Sequence, residues 1–247
     1  MTTKIIERPH EATSSPIQIS GGSSTSALSD TNVGDPVSAP VEPAQKRPRA
    51  TFLDVEIRTE IAPPYTWERC WQTGMAVAVT WDDKEGFKDW FAGESEDLLL
   101  YLASFDRVVG FNTLAFDYRV IDGDLALIRK VARTLHPADS PQDIPRWVEE
   151  ALAGKTVDML ADVYEWLGFR VKLELITGPT LGRKKTMNGI LAPVEWGKRN
   201  RHQVIGYCRN DVELERDLYF YGFKHGRISY IDGRGSRNVV PISWRTR

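Results

Sequence analysis

The chain has 247 residues, of which 41% are hydrophobic and 27% charged, and its 32 basic and 34 acidic residues give a formal net charge of −2. This length allows one sizeable domain with a tail, and the charge excludes a uniformly basic nucleic-acid binder but not a local basic patch. Cys70 and Cys208 lack CxxC spacing, which argues against a disulfide scaffold or a cysteine zinc site, and the sequence carries no membrane span or signal peptide, so we expect a cytoplasmic protein.

Residues 1–50 differ in composition from the rest of the chain. They contain six of the fourteen prolines, many serines and threonines, and no aromatic residue. Such a segment buries too little apolar surface to offset the entropy that is lost on ordering. We therefore predict a disordered tail over residues 1–50 and one folded domain over residues 51–247.

The domain is predicted to begin with three strands, over residues 51–57, 74–81 and 87–91, which form an antiparallel meander. A helix over 94–105, a short apolar strand over 106–112 and a helix from Leu114 follow. The remaining predicted elements are helices over 125–135 and 144–154, a strand from Lys155 that runs into a helix ending at Gly168, an irregular stretch, a periodic helix over 202–222 and a C-terminal β-hairpin. This order predicts an α/β fold whose mixed sheet joins the antiparallel meander to parallel strands through helical crossovers.

Asp54 and Glu56 interrupt the first predicted strand with two carboxylates. Because alternate side chains of a strand point to the same face, the two negative charges stand side by side. One interpretation is a solvent-facing side of the strand, where acids are ordinary. The other is a divalent metal, because Mg²⁺ and Mn²⁺ prefer carboxylate oxygens and would relieve the repulsion. A metal site needs further ligands from elsewhere in the chain.

Two later segments offer such ligands. Asp117 falls in the first turns of the helix that follows Asn112, where helix-dipole stabilisation and helix capping are the ordinary roles of these two residue types. Tyr207 and Asp211 lie four residues apart and therefore share one face of the long periodic helix. A pair on the protein surface is the ordinary alternative for them.

Four other acids near these segments receive ordinary interpretations. On the periodic helix, Glu213, Glu215 and Asp217 lie at different angles or further along, and we predict them to be solvated. Asp158 ends the strand that starts at Lys155. It is interpreted either as a helix cap or as an outer neighbour of the site.

The motifs D-x-E, N-x(4)-D and Y-x(3)-D, in this order, resemble those of the DEDD superfamily of 3′–5′ exonucleases, which have a ribonuclease-H-like fold. In the histidine subgroup a His would stand five residues before the last Asp, but Gly206 occupies that position, so the tyrosine subgroup fits better. The resemblance covers about residues 51–230. The stretches "VVGFN" and "TLGRKKTMNG" and the periodic helix are also similar to bacterial RNase-H-like exonuclease domains, some of which are attached to helicases.

The resemblance implies a phosphodiester hydrolase that uses two divalent ions, Mg²⁺ or Mn²⁺. Its metal ligands would be Asp54, which both ions share, Glu56 and Asp211 for the first ion, and Asp117 for the second. Tyr207 would orient the attacking water, and the products would be nucleoside 5′-monophosphates. The expected substrate is a single-stranded 3′ end of DNA or RNA, and a helicase or another protein is an expected partner.

A basic stretch precedes the periodic helix and suits contact with phosphates. Between residues 181 and 209 it contains seven Lys or Arg residues and one acid, Glu195. Lys185 and Asn188 in this stretch, together with Asn112, are the predicted substrate contacts. A solvated loop is the ordinary alternative.

Two other functions remain compatible with the sequence. One is a non-catalytic nucleic-acid-binding module with the same fold, and the other is a structural or partner domain that is recruited through the tail. The presence of all four acids favours the enzyme over the module, since a module without activity would be free to lose one of them.

Overall fold

The computed structural model describes residues 4–5 and 48–244. The strands are β1 (Lys4–Ile5), β2 (Ala50–Ile57), β3 (Met75–Asp82), β4 (Gly86–Phe91), β5 (Arg107–Gly110), β6 (Thr156–Asp158), β7 (Arg227–Ile231) and β8 (Arg237–Pro241). The α-helices are α1 (Ser95–Ala103), α2 (Asp117–Ile128), α3 (Trp147–Ala151), α4 (Met159–Leu167), α5 (Glu174–Leu181), α6 (Ala192–Gly197) and α7 (Arg201–His225). Two 3-10 segments cover Trp67–Thr73 and Gly189–Leu191. The predicted disordered tail otherwise lies outside the described residues.

The central sheet has five strands in the order β4-β3-β2-β5-β6. The strands β2, β3 and β4 are antiparallel neighbours, whereas β5 runs parallel to both β2 and β6. The connection from β5 to β6 carries α2 and α3, which supply the helical crossover that parallel neighbours require. This mixed sheet with its flanking helices confirms the predicted fold class and is compatible with a ribonuclease-H-like fold.

A second, smaller sheet lies at the C-terminal end of the domain. The strands β7 and β8 form an antiparallel hairpin, and β1 lies parallel to β8. Within the described part of the chain, no helix combines the length and the apolar composition that crossing a bilayer requires.

The two faces of the central sheet are covered by different helices, and β2 shows the division. Leu53 and Val55 point into a core that they share with α1 and α2. Phe52, one residue earlier, points into the other core, which contains the apolar residues of α7. Since side chains alternate along a strand, Asp54 and Glu56 share the Phe52 face and point toward α7.

Three stretches differ from their predictions. The helix predicted over 125–135 is the end of α2, which continues through Gly123 and stops at Ile128, shortly before Lys130 with a left-handed φ of 58°. The stretch predicted to be irregular contains α5 and α6, and Gly178 and Pro179 inside α5 conceal its helical pattern. The linker between the first two predicted strands contains the 3-10 segment Trp67–Thr73.

Gly123 lies where α2 packs against the 3-10 segment Trp67–Thr73. A Cβ atom there would stand 2.1 Å from the carbonyl oxygen of Trp71, a backbone atom that cannot turn aside. We predict that Gly123→Ala lowers the free energy of unfolding by about 1–3 kcal/mol, the usual cost of overpacking. Chemical denaturation of the purified variant measures this loss.

Gly206→Ala is the matched control for Gly123→Ala. Gly206 is exposed on α7, and apart from its chain neighbours and the backbone of its own helix no described atom lies within 4 Å of an added Cβ. The substitution should raise the free energy of unfolding by about 0.5–1 kcal/mol, because alanine loses less backbone entropy in a helix. A gain of stability in both variants would contradict the close approach of α2 to Trp71.

Candidate metal centre

Asp54, Glu56 and Asp211 meet between β2 and α7. One oxygen from each carboxylate lies within 4.8 Å of the other two. Glu56 and Asp211 are buried, with 7% and 1% of their surfaces exposed, and Asp54 is half-buried. The Sγ of Cys208 on α7 donates to the carbonyl oxygen of Asp54 at 3.4 Å and so ties the helix to the strand. The solvent-facing interpretation of the acid pair is therefore wrong.

Asp117 is the first residue of α2 and is 2% exposed. It is not one of the three carboxylates that meet within 4.8 Å. Its pKa is raised well above the ordinary value by burial and then by the negative charges of Asp54 and Asp158, whereas the backbone N–H of Val55 lowers it. Because Val55 follows Asp54 in β2, these influences place Asp117 beside the Asp54 side of the cluster.

Burial and mutual repulsion raise the pKa values of the clustered acids. The pKa of Asp54 rises to about 7, through burial first and then through the negative charge of Asp211. The pKa of Glu56 is raised well above its usual range by burial, followed by the charges of Asp54 and Asp211. Burial also raises the pKa of Asp211, although the ammonium group of Lys185 opposes this rise. At neutral pH such a cluster binds either protons or cations.

Lys185 reaches into the cluster from the segment after α5. Its Nζ donates to Oδ2 of Asp211 at 2.5 Å and to the hydroxyl of Tyr207 at 3.1 Å. Burial disfavours the charged ammonium, but the carboxylates of Asp211 and Asp54 outweigh this cost and raise the pKa of Lys185. Burial and the charges of Asp211 and Glu56 also raise the pKa of Tyr207, so its phenol stays protonated at neutral pH.

Buried oxygens of the acids are left with unused hydrogen-bonding capacity. Among the described residues, Oδ2 of Asp54, Oδ1 of Asp117 and Oδ1 of Asp211 have no hydrogen-bond partner. A buried carboxylate oxygen without a partner is costly, and a hard divalent cation would satisfy it. The set of donors therefore fits Mg²⁺ or Mn²⁺.

Asp158 fixes the loop that carries Asn112 and leads into α2. Its carboxylate accepts the N–H groups of Asn112 at 2.9 Å and Leu114 at 3.0 Å. The same side chain accepts two further N–H groups at the start of α4 and so acts as the N-cap of that helix. Asn112 has a left-handed φ of 74°. Asp158 is therefore a helix cap that also holds the approach to Asp117.

Much of the basic stretch is occupied by ion pairs. Arg183 pairs with Glu213 and Asp217 of α7, so these two acids are ion-paired and not simply solvated as predicted. The other pairs are Lys185–Asp211, Lys198–Glu195 and Arg209–Asp89. Four of the seven basic residues in this stretch would therefore have to leave an acidic partner before they could contact a phosphate.

Asn188 lies on a loop that passes close to Tyr207. The Asn188 side chain is exposed, and its Oδ1 accepts the N–H of Ile190 at 3.3 Å, which caps the 3-10 segment Gly189–Leu191. A Cβ atom at Gly189 would stand 3.2 Å from the hydroxyl of Tyr207. Asn188 is thus next to a residue that closely covers the Tyr207 hydroxyl.

The structure contradicts the prediction that Glu215 is solvated. Glu215 is 1% exposed, and its Oε2 has no hydrogen-bond partner within the described part of the chain. A signal was present in the sequence, since Tyr207, Asp211 and Glu215 are spaced by four residues and therefore lie on one face of the helix. Motif reading missed this acid because the resemblance ends its third motif at Asp211.

A groove runs past the start of α2, and each of its two parts contains an exposed aromatic residue. Its two parts have volumes of about 560 and 410 Å³ and share Asn112, Leu114, Ala115 and Arg170. Trp67 lines the first part and is 64% exposed, and Tyr164 lines the second and is 48% exposed. Phe116, the residue before Asp117, also lines the first part, and Arg170 donates to Oδ1 of Asn112 where the parts join.

Known proteins resemble this chain in fold. No protein-family model matches the chain, and no curated protein is similar to it. Among solved structures, the chain is similar to the family B DNA polymerase from the hyperthermophilic archaeon Pyrobaculum calidifontis, with a TM-score of 0.50 and 13% sequence identity. The similarity covers 72% of this chain but 26% of the polymerase, so the chain matches about a quarter of that protein. At this identity the likeness concerns the fold alone.

The raised pKa of Asp54 makes stability depend on pH in the absence of metal. Because the pKa is about 7 in the folded state and 3.8 ordinarily, the folded protein holds more protons than the unfolded chain between these values. We predict that the free energy of unfolding in EDTA falls as pH rises from about 5 to about 8. Asp54→Asn should flatten this fall and raise the free energy at about pH 8 by about 1 kcal/mol or more, since one pKa unit corresponds to about 1.4 kcal/mol.

Asp97→Asn is the control for this measurement, because Asp97 is an exposed acid on α1. It should leave the slope of stability against pH unchanged. If Asp54→Asn instead unfolds the metal-free domain, Asp54 has a structural role that electrostatic repulsion does not describe.

Proposed function

We propose that this protein is a metal-dependent 3′–5′ exonuclease, which hydrolyses phosphodiester bonds of a nucleic acid and releases nucleoside 5′-monophosphates. The observation that carries the proposal is the meeting of Asp54, Glu56 and Asp211 between β2 and α7, with Asp117 beside Asp54. The unpartnered oxygens of these buried acids support a metal-binding role. The direction of digestion rests on the resemblance of the three motifs to the exonuclease family.

The four carboxylates would hold two Mg²⁺ or Mn²⁺ ions. As the resemblance implies, Asp54 would contribute to both sites, Glu56 and Asp211 would complete one of them, and Asp117 would hold the second ion. When bound, such a pair of ions stabilises the attacking and leaving oxygens of an in-line displacement at phosphorus. The chain contributes rigidity, because β2 lies in the middle of the sheet and the contact from Cys208 keeps α7 against it.

Tyr207 and Lys185 would position the reacting groups. Because its phenol stays protonated, Tyr207 is unsuited to remove a proton from water, but its hydroxyl can orient a water through a hydrogen bond. The ammonium group of Lys185, which Asp211 holds at the site, carries the charge that attracts a phosphate oxygen. Lys185 therefore stays a predicted substrate contact, and Asn188 lies on the loop beside it.

The groove between Trp67 and Tyr164 supports a single strand as the substrate. Unpaired bases stack on exposed aromatic rings, and guanidinium groups attract the phosphates between them. Arg146, which would have to exchange its ion pair with Glu149, lines the first part of the groove, and Arg170 lies where the two parts join. The polymerase with the similar fold acts, by its name, on DNA, which agrees with a nucleic acid as the substrate class.

A non-catalytic nucleic-acid-binding module is the second candidate. The salt bridge between Lys185 and Asp211 favours it, because an ammonium group can neutralise a carboxylate cluster in place of a metal ion. Under this alternative the groove would bind a strand, but the acids would have no ion to hold. The two candidates differ in whether the intact protein cleaves the strand that it binds.

Digestion of single-stranded oligonucleotides tests the proposed activity. We expect the wild-type protein to shorten a 5′-labelled strand stepwise in Mg²⁺ or Mn²⁺, and EDTA should stop the reaction. Asp54→Asn should lower the rate by at least about 10²–10³-fold, the range for the loss of one preorganised electrostatic group. DNA and RNA strands of the same sequence, digested in parallel, identify the preferred nucleic acid.

Glu213→Gln serves as the control, because Glu213 lies on α7 as an acid paired with Arg183 and not as a member of the cluster. It should digest the strand at about the wild-type rate. Equal digestion by wild type and Asp54→Asn would reject the enzyme, and binding without cleavage would favour the module. Stepwise shortening of a 3′-labelled strand from its 5′ end would reject the proposed direction.

Trp67 provides a separate test of the strand-binding groove. Loss of one base-stacking platform costs about 1–3 kcal/mol, so we predict that Trp67→Ala raises KM about 5- to 150-fold with little change in kcat. Leu100→Ala is the control, because Leu100 is 70% exposed on α1 and does not line the groove. Steady-state digestion of a labelled strand measures both constants, and an unchanged KM for Trp67→Ala would place the strand elsewhere.

A further inference from the structure

The face of α7 that points toward β2 carries a third polar group after Tyr207 and Asp211. Glu215 follows Asp211 by four residues, which places it one helical turn further along the same face. Only 1% of its surface is exposed. Neither the three motifs nor their resemblance to the exonuclease family includes this residue.

Glu215 differs from its acidic neighbours on α7 because they are ion-paired and it, among the described residues, is not. Glu213 and Asp217 both pair with Arg183 at the partly exposed side of the helix. Oε2 of Glu215 is buried and accepts no hydrogen bond from any residue in the described ranges. A buried carboxylate is costly unless it is paired, protonated or bound to a metal, so the position of Glu215 calls for a partner.

The surroundings of Glu215 identify the part of the site that it faces. Its pKa is raised well above the ordinary value by burial first, and then by the negative charges of Asp54, Asp117 and Asp211, in that order. Contacts between α7 and β2 flank Glu215 on both sides, through Cys208 at the backbone of Asp54 and through Tyr219 at the ring of Phe52. Glu215 is also absent from the group of three oxygens that meet within 4.8 Å. It therefore lies beside Asp54, on the stretch of α7 that packs against β2.

We propose that Glu215 is a fifth carboxylate of the metal centre and supplies an oxygen, directly or through a bound water, to the divalent cation held by Asp54 and Asp117. This inference rests on the proposed two-ion site and adds a ligand to its less complete half. Without Glu215, the second ion would depend on Asp117 and the shared Asp54, whereas the first has Glu56 and Asp211 as well as Asp54.

Before a phosphate binds, charge balance also favours a fifth carboxylate. Four ionised acids cannot neutralise two divalent cations together with the ammonium group of Lys185, which Asp211 holds in the cluster. The addition of Glu215 brings the number of negative charges to five, which equals the positive charge of two divalent ions and one ammonium group. A buried centre of low net charge is less costly than one with an uncompensated charge.

The test measures metal binding by the full chain, separately from activity. Mn²⁺ is titrated by calorimetry and by electron paramagnetic resonance, and thermal unfolding is followed in EDTA at about pH 8. The wild type is expected to bind two Mn²⁺ ions. Glu215→Gln should weaken the second ion by about 10- to 100-fold, the range seen when a residue supporting a metal site is replaced. It should not lower the melting temperature in EDTA, because Oε2 of Glu215 accepts no hydrogen bond that the substitution would remove.

Two further variants keep the inference falsifiable. Glu213→Gln makes the same change two residues earlier on α7 and should leave Mn²⁺ binding as in the wild type. Glu215→Asp keeps the charge with a shorter reach, so it should bind the second ion more tightly than Glu215→Gln. If Glu215→Gln binds both ions with wild-type affinity, or loses stability in EDTA without a change in Mn²⁺ binding, Glu215 is a structural residue and the inference is overturned.

The outcomes also separate this inference from the proposed activity. If the wild type digests oligonucleotides and Glu215→Gln binds Mn²⁺ as the wild type does, the fifth ligand is rejected and the exonuclease is not. Binding of two Mn²⁺ ions that depends on Glu215, without digestion of DNA or RNA, supports the fifth ligand and rejects the exonuclease. A wild-type chain that binds no Mn²⁺ rejects both.

Discussion

Mutual repulsion among buried carboxylates is the constraint on which the site depends. Asp54 and Glu56 are side by side on β2, and the fold places Asp211 of α7 opposite them, with the buried Glu215 one turn further along the helix. Water would screen such charges at the surface, but at this interface between helix and strand it is largely excluded. The stability of this region is therefore set by what neutralises the acids, which can be protons, the ammonium group of Lys185 or divalent cations.

The apolar parts of the fold are arranged so that this repulsion does not separate α7 from the sheet. Apolar residues of α7 pack in the same core as Phe52 of β2. The Sγ of Cys208 also donates to the carbonyl oxygen of Asp54. The opposite face of β2 is held by α1 and α2 through a second core. The hydrophobic contacts on both sides of one strand thus offset the local electrostatic cost of the acid cluster.

The sequence was sufficient for the class of fold and for the elements that bring the acids together, because strand alternation and helix periodicity are local signals. It predicted α7 and the first three strands of the central sheet closely, but it missed α5, where Gly178 and Pro179 conceal the helical pattern. It also misjudged Glu215, because its burial depends on the packing of α7 against β2, which no local pattern reports. Nothing in the folded domain bears on the expected helicase, which stays a prediction.

The bond between Cys208 and the backbone of Asp54 joins residues 154 positions apart, and the bond between Asp158 and Asn112 joins residues 46 positions apart. Contacts between residues so far apart in sequence form slowly, because the entropy of closing a long loop is lost before the contact can stabilise the chain. During synthesis, the acids of β2 leave the ribosome well before α7 does. A growing chain therefore carries the acid pair of β2 without its partners, and the protein acquires the complete cluster only after α7 has been made.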